Sequence, residues 1–171
     1  KLGLYKQGIL HDLSKYSPKE FISGVVFYTG DKSPNTTERR VSGKSEAWLH
    51  HKGRNKHHYQ YWVDLGTKGV APVIPYKYMA EMICDKLAAG IIYQGKDWTK
   101  EYELQYWERE RVNYPLNENV KKVITEVLEQ VSKNGIDSTL TKKNIKSLYK
   151  KYCIDDKTEY VYEFHGEWKK A

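Results

Sequence analysis

The chain has 171 residues, 39% hydrophobic and 30% charged, which excludes a disordered polymer and fits one domain with a core of its own. No apolar run is long enough to span a bilayer and no signal-peptide pattern is present. The two cysteines, Cys84 and Cys153, exclude a disulfide framework and a cysteine metal site, so the expected setting is cytoplasmic, with reduced thiols and no membrane partner. The net charge of +7 points to phosphate-bearing partners, either nucleotides or nucleic acid, with a solvated lysine-rich surface as the plain alternative.

In chain order, Leu2, Tyr5, Ile9 and Leu13 follow a helical stripe that places His11-Asp12 near the end of a first helix. Ser17-Pro18-Lys19-Glu20 reads as the next start, with Ser17 as cap, Pro18 at the first helical position and Glu20 completing a capping box. That helix is expected to run to about Tyr28 and to stop at Gly30. Residues 31–43, rich in Pro, Asn, Thr and Arg, read as an exposed loop carrying Arg39 and Arg40. A third helix is expected over Ser45 to Lys52, bearing Trp48, Leu49, His50 and His51 and broken by Gly53 and Asn55. His57 to Val63 reads either as a helical turn or as an extended segment, and Gly66 and Gly69 mark a turn.

The clearest helix spans Tyr76 to Ala89 and is expected to end at Gly90. Met79, Met82, Ile83 and Leu87 form its apolar face, and Asp85 borders that face, where a carboxylate needs a partner. Further helices are expected over Thr99 to Arg111, Leu116 to Lys133 and Thr141 to Lys151. The stripe Val120, Val123, Ile124, Val127, Leu128, Val131 is the strongest of all. Tyr160 to Phe164 alternate weakly, as a short strand or a tail. The expected fold is all-α, a single domain over residues 1–171. Fifteen tyrosines and five tryptophans serve mostly as packing, with a minority available to stack on a base.

Five of the six histidines fall within the first 58 residues, four of them as the adjacent pairs His50-His51 and His57-His58. Imidazole is the commonest protein ligand of transition metals. An adjacent His-Asp pair on a helix can direct both side chains toward one ion or a bridged pair of ions. Lys15, one turn beyond, would then sit beside the metal and hold a phosphate oxygen. Arg54 and Lys56, between the two pairs, are placed to meet an anionic substrate. The plainer readings are that His50-His51 complement a helix C-terminus, that His57-His58 are hydrogen-bonded structural residues, and that His165 is a surface residue.

The string His11-Asp12-Leu13-Ser14-Lys15 resembles the signature of the HD-domain superfamily of metal-dependent phosphohydrolases, whose pattern continues with helix-borne histidines and a late Asp. More closely, Ala47-Trp48-Leu49-His50-His51, then Asn55 through His57-His58 to Trp62, then Met82-Ile83-Cys84-Asp85, resembles a group of uncharacterised bacterial and phage HD-like proteins. The resemblance covers roughly residues 1–95, leaving 96–171 as a helical C-terminal extension that either dimerises the chain or covers the site. It implies an all-α core, one or two divalent ions (Mn, Fe, Ni, Co, Mg or Zn), and hydrolysis of a nucleotide or other small phosphate ester through metal-activated water. It assigns His11 and Asp12 as ligands, Asp12 and Lys15 to catalysis, Lys15 to a substrate phosphate, and Asp85 to closing the metal site, while Arg54 is assigned to the substrate by its place between the histidine pairs. His51 and His58 are the first choices from the later pairs, with His50 and His57 as near equals.

The superfamily also carries a His on a helix before the pair. Only ten residues precede His11 and none is His, so a segment preceding Lys1 or one of the nearby pairs supplies that ligand. The alternative function is a non-catalytic basic helical module for nucleic acid or a nucleotide, with a structural or vestigial metal site. Oxidative chemistry at a di-iron site is a third reading, which nothing in the sequence favours over hydrolysis.

Overall fold

The computed structural model describes residues 1–30, 32–63 and 71–158. Every regular element among them is helical, so the fold is all-α. No described helix is long and apolar enough to cross a membrane. Gly66, Gly69, Tyr160 to Phe164 and His165 lie outside the described residues. The chain divides into two compact units, one of residues 4–61 and one of residues 1–3 with 62–171.

The first unit holds α1 (Tyr5–Leu10), α2 (Pro18–Val26), α3 (Pro34–Ser42) and α4 (Glu46–Lys52). The expected continuous helix through Leu13 is interrupted. His11 is extended (φ −55°, ψ 125°) and Asp12 is left-handed (φ 56°, ψ 19°), and a 3₁₀ turn, Leu13–Tyr16, follows. Asp12 is the one non-glycine residue with positive φ among the described residues. Aspartate tolerates that conformation better than most side chains, and such strain persists where its surroundings enforce it. The His-Asp pair is therefore presented by a kink and not by a helix face.

Helix α2 begins as its sequence predicts, with Pro18 in the first turn and Ser17 Oγ accepting the Glu20 N–H. The loop expected over 31–43 is instead α3. Pro34 opens it and left-handed Gly43 (φ 74°) closes it, the ordinary boundary chemistry of a helix. Its composition hides it, because Glu38 is its only buried residue and no apolar stripe results. Helix α4 is capped by Ser45, which accepts the Trp48 N–H, and gives way at Gly53. A 3₁₀ turn at Tyr59–Tyr61 follows the second histidine pair.

The second unit holds α5 (Tyr76–Gln94), α6 (Tyr102–Glu110), α7 (Glu118–Asn134), α8 (Ile136–Thr139) and α9 (Lys142–Tyr149). Helix α7 lies at its centre and packs against α6, α8 and α9. Val120, Val123, Ile124, Val127, Leu128 and Val131 are at most 2% exposed. Each such side chain contributes roughly 1.5–3 kcal/mol relative to exposure. Helix α5 does not end at Gly90 as expected but runs on to Gln94. A Cβ at Gly90 would lie 1.6 Å from Glu103 Oε1, so this glycine serves the close approach of α6 and does not stop the helix. Helices α5 and α6, on either side of residue 95, pack within this one unit.

Candidate metal centre

The interior of the first unit is unusual for its size. Beside Ala47, its buried residues are Asp12, Glu20, Glu38, Ser45, His51 and His57. Charged groups are expensive to bury unless they are paired or bind a metal. Two carboxylates hold α4 from its two ends. At the N-terminus, Glu38 accepts from Ser23 Oγ (2.9 Å), Ser45 Oγ (2.5 Å) and the Glu46 N–H (3.2 Å), tying α2 and α3 to the positive end of α4. At the C-terminus, Glu20 reaches His50 Nδ1 through Oε1 (2.6 Å) and His51 Nδ1 through Oε2 (2.8 Å).

The kink carries Asp12 to the imidazoles. Asp12 Oδ1 is buried, accepts no hydrogen bond, and stands 3.2 Å from His51 Nε2 and 3.4 Å from His57 Nε2. His51 Nε2 in turn lies 2.8 Å from His58 Nε2. One donor atom from each of Asp12, His51, His57 and His58 falls within 4.8 Å of all the others. Ligands on one ion at bond lengths of about 2.0–2.2 Å are themselves about 2.8–3.6 Å apart at octahedral to tetrahedral angles. The observed spacings match that range, and the buried carboxylate oxygen without a hydrogen bond is the group a cation would satisfy. The cluster could hold a metal ion, and its nitrogen and oxygen donors suit Mn, Fe, Co, Ni or Zn.

The other oxygen, Asp12 Oδ2, faces outward to Lys15 Nζ (2.5 Å) and His11 Nε2 (3.4 Å). The His11 ring lies 4.4 Å from that of His57. His11 thus adds a donor on the second side of a carboxylate shared with His57, the arrangement through which an Asp bridges two ions. Burial alone would raise the Asp12 pKa, but His51 and Lys15 outweigh it and hold the carboxyl well below the usual carboxylate range. Burial would likewise raise Glu20 and lower His51. The His50, His51 and Ser14 contacts bring Glu20 down, and the two carboxylates bring His51 up.

Of the predicted residues, His11, Asp12, His51, His57 and His58 meet within this one unit. His50 faces Glu20 and not the Asp12 cluster. Lys15 is exposed beside Asp12. Arg54 is exposed, with Nη1 3.4 Å from the His50 carbonyl at the end of α4. Asp85 lies half-buried on α5 of the other unit.

Four neighbours of the cluster escape sequence reasoning. Glu20 reads only as a capping residue and Asn55 only as a helix breaker. Ser14 is noted only as part of the His-Asp string, and Trp48 passes as packing. Trp48 lies against His51 (ring centroids 5.8 Å) and edge-on to His58 (4.9 Å), with Arg39 5.6 Å over its ring. A usable signal for Glu20 exists: with Ser17 already capping α2, a second local role is not needed there.

A family model described as a family of unknown function, DUF5662, matches residues 1–130. No curated protein and no solved structure matches the chain.

Proposed function

The chain belongs to DUF5662, and we propose that it is a metal-dependent phosphohydrolase acting on a nucleotide or other small phosphate ester. The observation that carries this reading is the division of labour across Asp12. Its inner oxygen faces the ε nitrogens of His51 and His57, and its outer oxygen faces an exposed ammonium. Asp12, His51, His57 and His58 would hold the ion, with His11 on the second side of the shared carboxylate. The chemistry a divalent ion supplies at such a site is acidification of a water and polarisation of a phosphoryl oxygen.

The chain's own residues supply the rest. Lys15 is exposed beside the outer oxygen of Asp12, where its ammonium would meet a phosphate oxygen brought to the centre. Arg39 on Trp48 and Arg54 at the end of α4 add positive charge on the same unit, in keeping with the net charge of +7. Asp12, held ionised, would add its negative charge to the neutral imidazoles in holding the centre.

The test is hydrolysis. Purified protein supplied with Mn²⁺, Fe²⁺, Ni²⁺ or Co²⁺ is expected to release phosphate from some member of a nucleotide and phosphoester panel, and Asp12→Ala to release none. Binding of nucleic acid that is salt-dependent, without turnover and indifferent to Asp12→Ala, would select the non-catalytic module instead.

A further inference from the structure

We propose that Glu20 is the positioning residue of the metal centre, fixing His51 in the tautomer whose Nε2 is free to bind a divalent metal ion. The inference rests on the metal-site reading of Asp12, His51, His57 and His58, and adds to it the group that orients the ligand.

The assignment follows from counting hydrogens. Asn55 Nδ2 has two, and they go to Ser14 Oγ (2.7 Å) and the His51 carbonyl (2.9 Å). Ser14 Oγ, having accepted from Asn55, donates its own hydrogen to Glu20 Oε2 (3.1 Å). Ser14 Oγ and Asn55 Nδ2 both also lie 3.1 Å from His51 Nδ1, but neither has a hydrogen left for it. His51 Nδ1 therefore faces Glu20 Oε2 at 2.8 Å, and an ionised carboxylate only accepts. Nε2 also faces a carboxylate, Asp12 Oδ1, but at the longer 3.2 Å, so once the ring carries a single hydrogen the shorter contact holds it on Nδ1 and leaves Nε2 as a lone-pair donor. A metal-ligating histidine characteristically gives its second ring N–H to a carboxylate in this way.

A purely mechanical role is a poor account of Glu20. It is 7% exposed and lies where α2 meets α4, a place an apolar side chain would fill without desolvating a charge. Ser17 already caps α2, so the carboxylate is not needed at its own helix end. Both its oxygens are spent on imidazoles, His50 on one and His51 on the other. The same network reaches Ser14, two residues beyond Asp12, so one carboxylate ties the His51 ring to the turn that presents the shared ligand.

The experiment uses two readouts on the whole chain. Imidazole ¹⁵N spectra of metal-free protein, taken at a pH above the end of the His51 titration followed in the same spectra, report the tautomer. The His51 signal is assigned by its loss in His51→Gln. The wild type should carry its hydrogen on Nδ1, and Glu20→Ala should shift His51 toward the Nε2–H form. Zn²⁺ affinity, read by competition with a chromophoric chelator, should fall about 10–100-fold in Glu20→Ala, with Glu20→Gln recovering part of it. Should Glu20→Ala fail to fold by circular dichroism, Glu20→Leu, which keeps most of the volume and has no acceptor, takes its place in the comparison. An unchanged tautomer, or wild-type Zn²⁺ affinity in a folded Glu20 variant, overturns the proposal. If the wild type itself binds no Zn²⁺, the metal reading falls, while the metal-free spectra still decide what Glu20 does.

Discussion

Asp12 Oδ1 lies 3.2 Å from His51 Nε2, buried and without a hydrogen bond, while the outer oxygen of the same carboxylate carries Lys15. On the proposed function, the two faces of one side chain would separate what holds a cation from what meets an anion. Asp12 can do this because it sits in a left-handed kink, which turns its carboxylate between α4 and the second histidine pair.

Lys15→Met tests the outer face. The methionine retains most of the stem and removes the ammonium, so metal content should stay at the wild-type level. The kcat/KM for phosphoester hydrolysis should fall about 10²-fold, the usual loss when one charge-stabilising donor is removed. Elemental analysis beside steady-state kinetics makes the comparison. Lost metal would mean that Lys15 acts by holding Asp12, and unchanged kinetics would mean that it does not meet the substrate.

Gly90→Ala tests the close approach of α5 and α6. Helix propensity favours alanine by about 1 kcal/mol. The new Cβ, however, would lie 1.6 Å from Glu103 Oε1 and 2.7 Å from its Cδ. Glu103 is buried and has little room to move, so the net effect should be a loss of about 1–3 kcal/mol in urea unfolding. A more stable variant would show that Glu103 can move aside.

The pair Lys86–Glu103, 3.7 Å apart in the second unit, gives a pH dependence of stability. Burial raises the Glu103 pKa despite Lys86, and burial lowers the Lys86 pKa despite Glu103. A raised carboxyl pKa contributes stability below the unfolded value that is lost as pH rises through the folded one. A lowered lysine pKa contributes stability at high pH that is lost as pH falls through the folded value. At neutral pH both losses are in force. The double variant Lys86→Met/Glu103→Gln should therefore be as stable as wild type or more so at about pH 7. The wild type should gain on it as pH falls toward about 4, through the raised Glu103 pKa. Denaturant unfolding across that range decides it, and a wild type that loses ground on acidification would contradict the assignment.

What the sequence made legible follows what is local. Helix α7 was readable because its buried face repeats at helical spacing, and α2 because Ser17 and Pro18 mark its start. The loop expectation over 31–43 failed because α3 buries one polar side chain, Glu38, and so has no stripe. The stop expected at Gly90 failed because the reason for that glycine lies on α6. The histidine clusters and Asp12 were visible as a group. The difference between His50 and His51 was not, because adjacent residues on a short helix differ only in which partner they face. Glu20 was hidden for the same reason, since its partners are 30 and 31 residues away.

Metal content of the protein as purified, measured beside Asp12→Ala after dialysis against the same divalent ions, tests the central claim most directly. The wild type should retain one or two ions per chain and should melt at a lower temperature after chelation. A ligand present at 1,000 times its Kd adds about 4 kcal/mol. Asp12→Ala should retain no metal, and chelator should leave its melting unchanged. Equal metal content in the two proteins, or none in the wild type, would contradict a metal centre at Asp12.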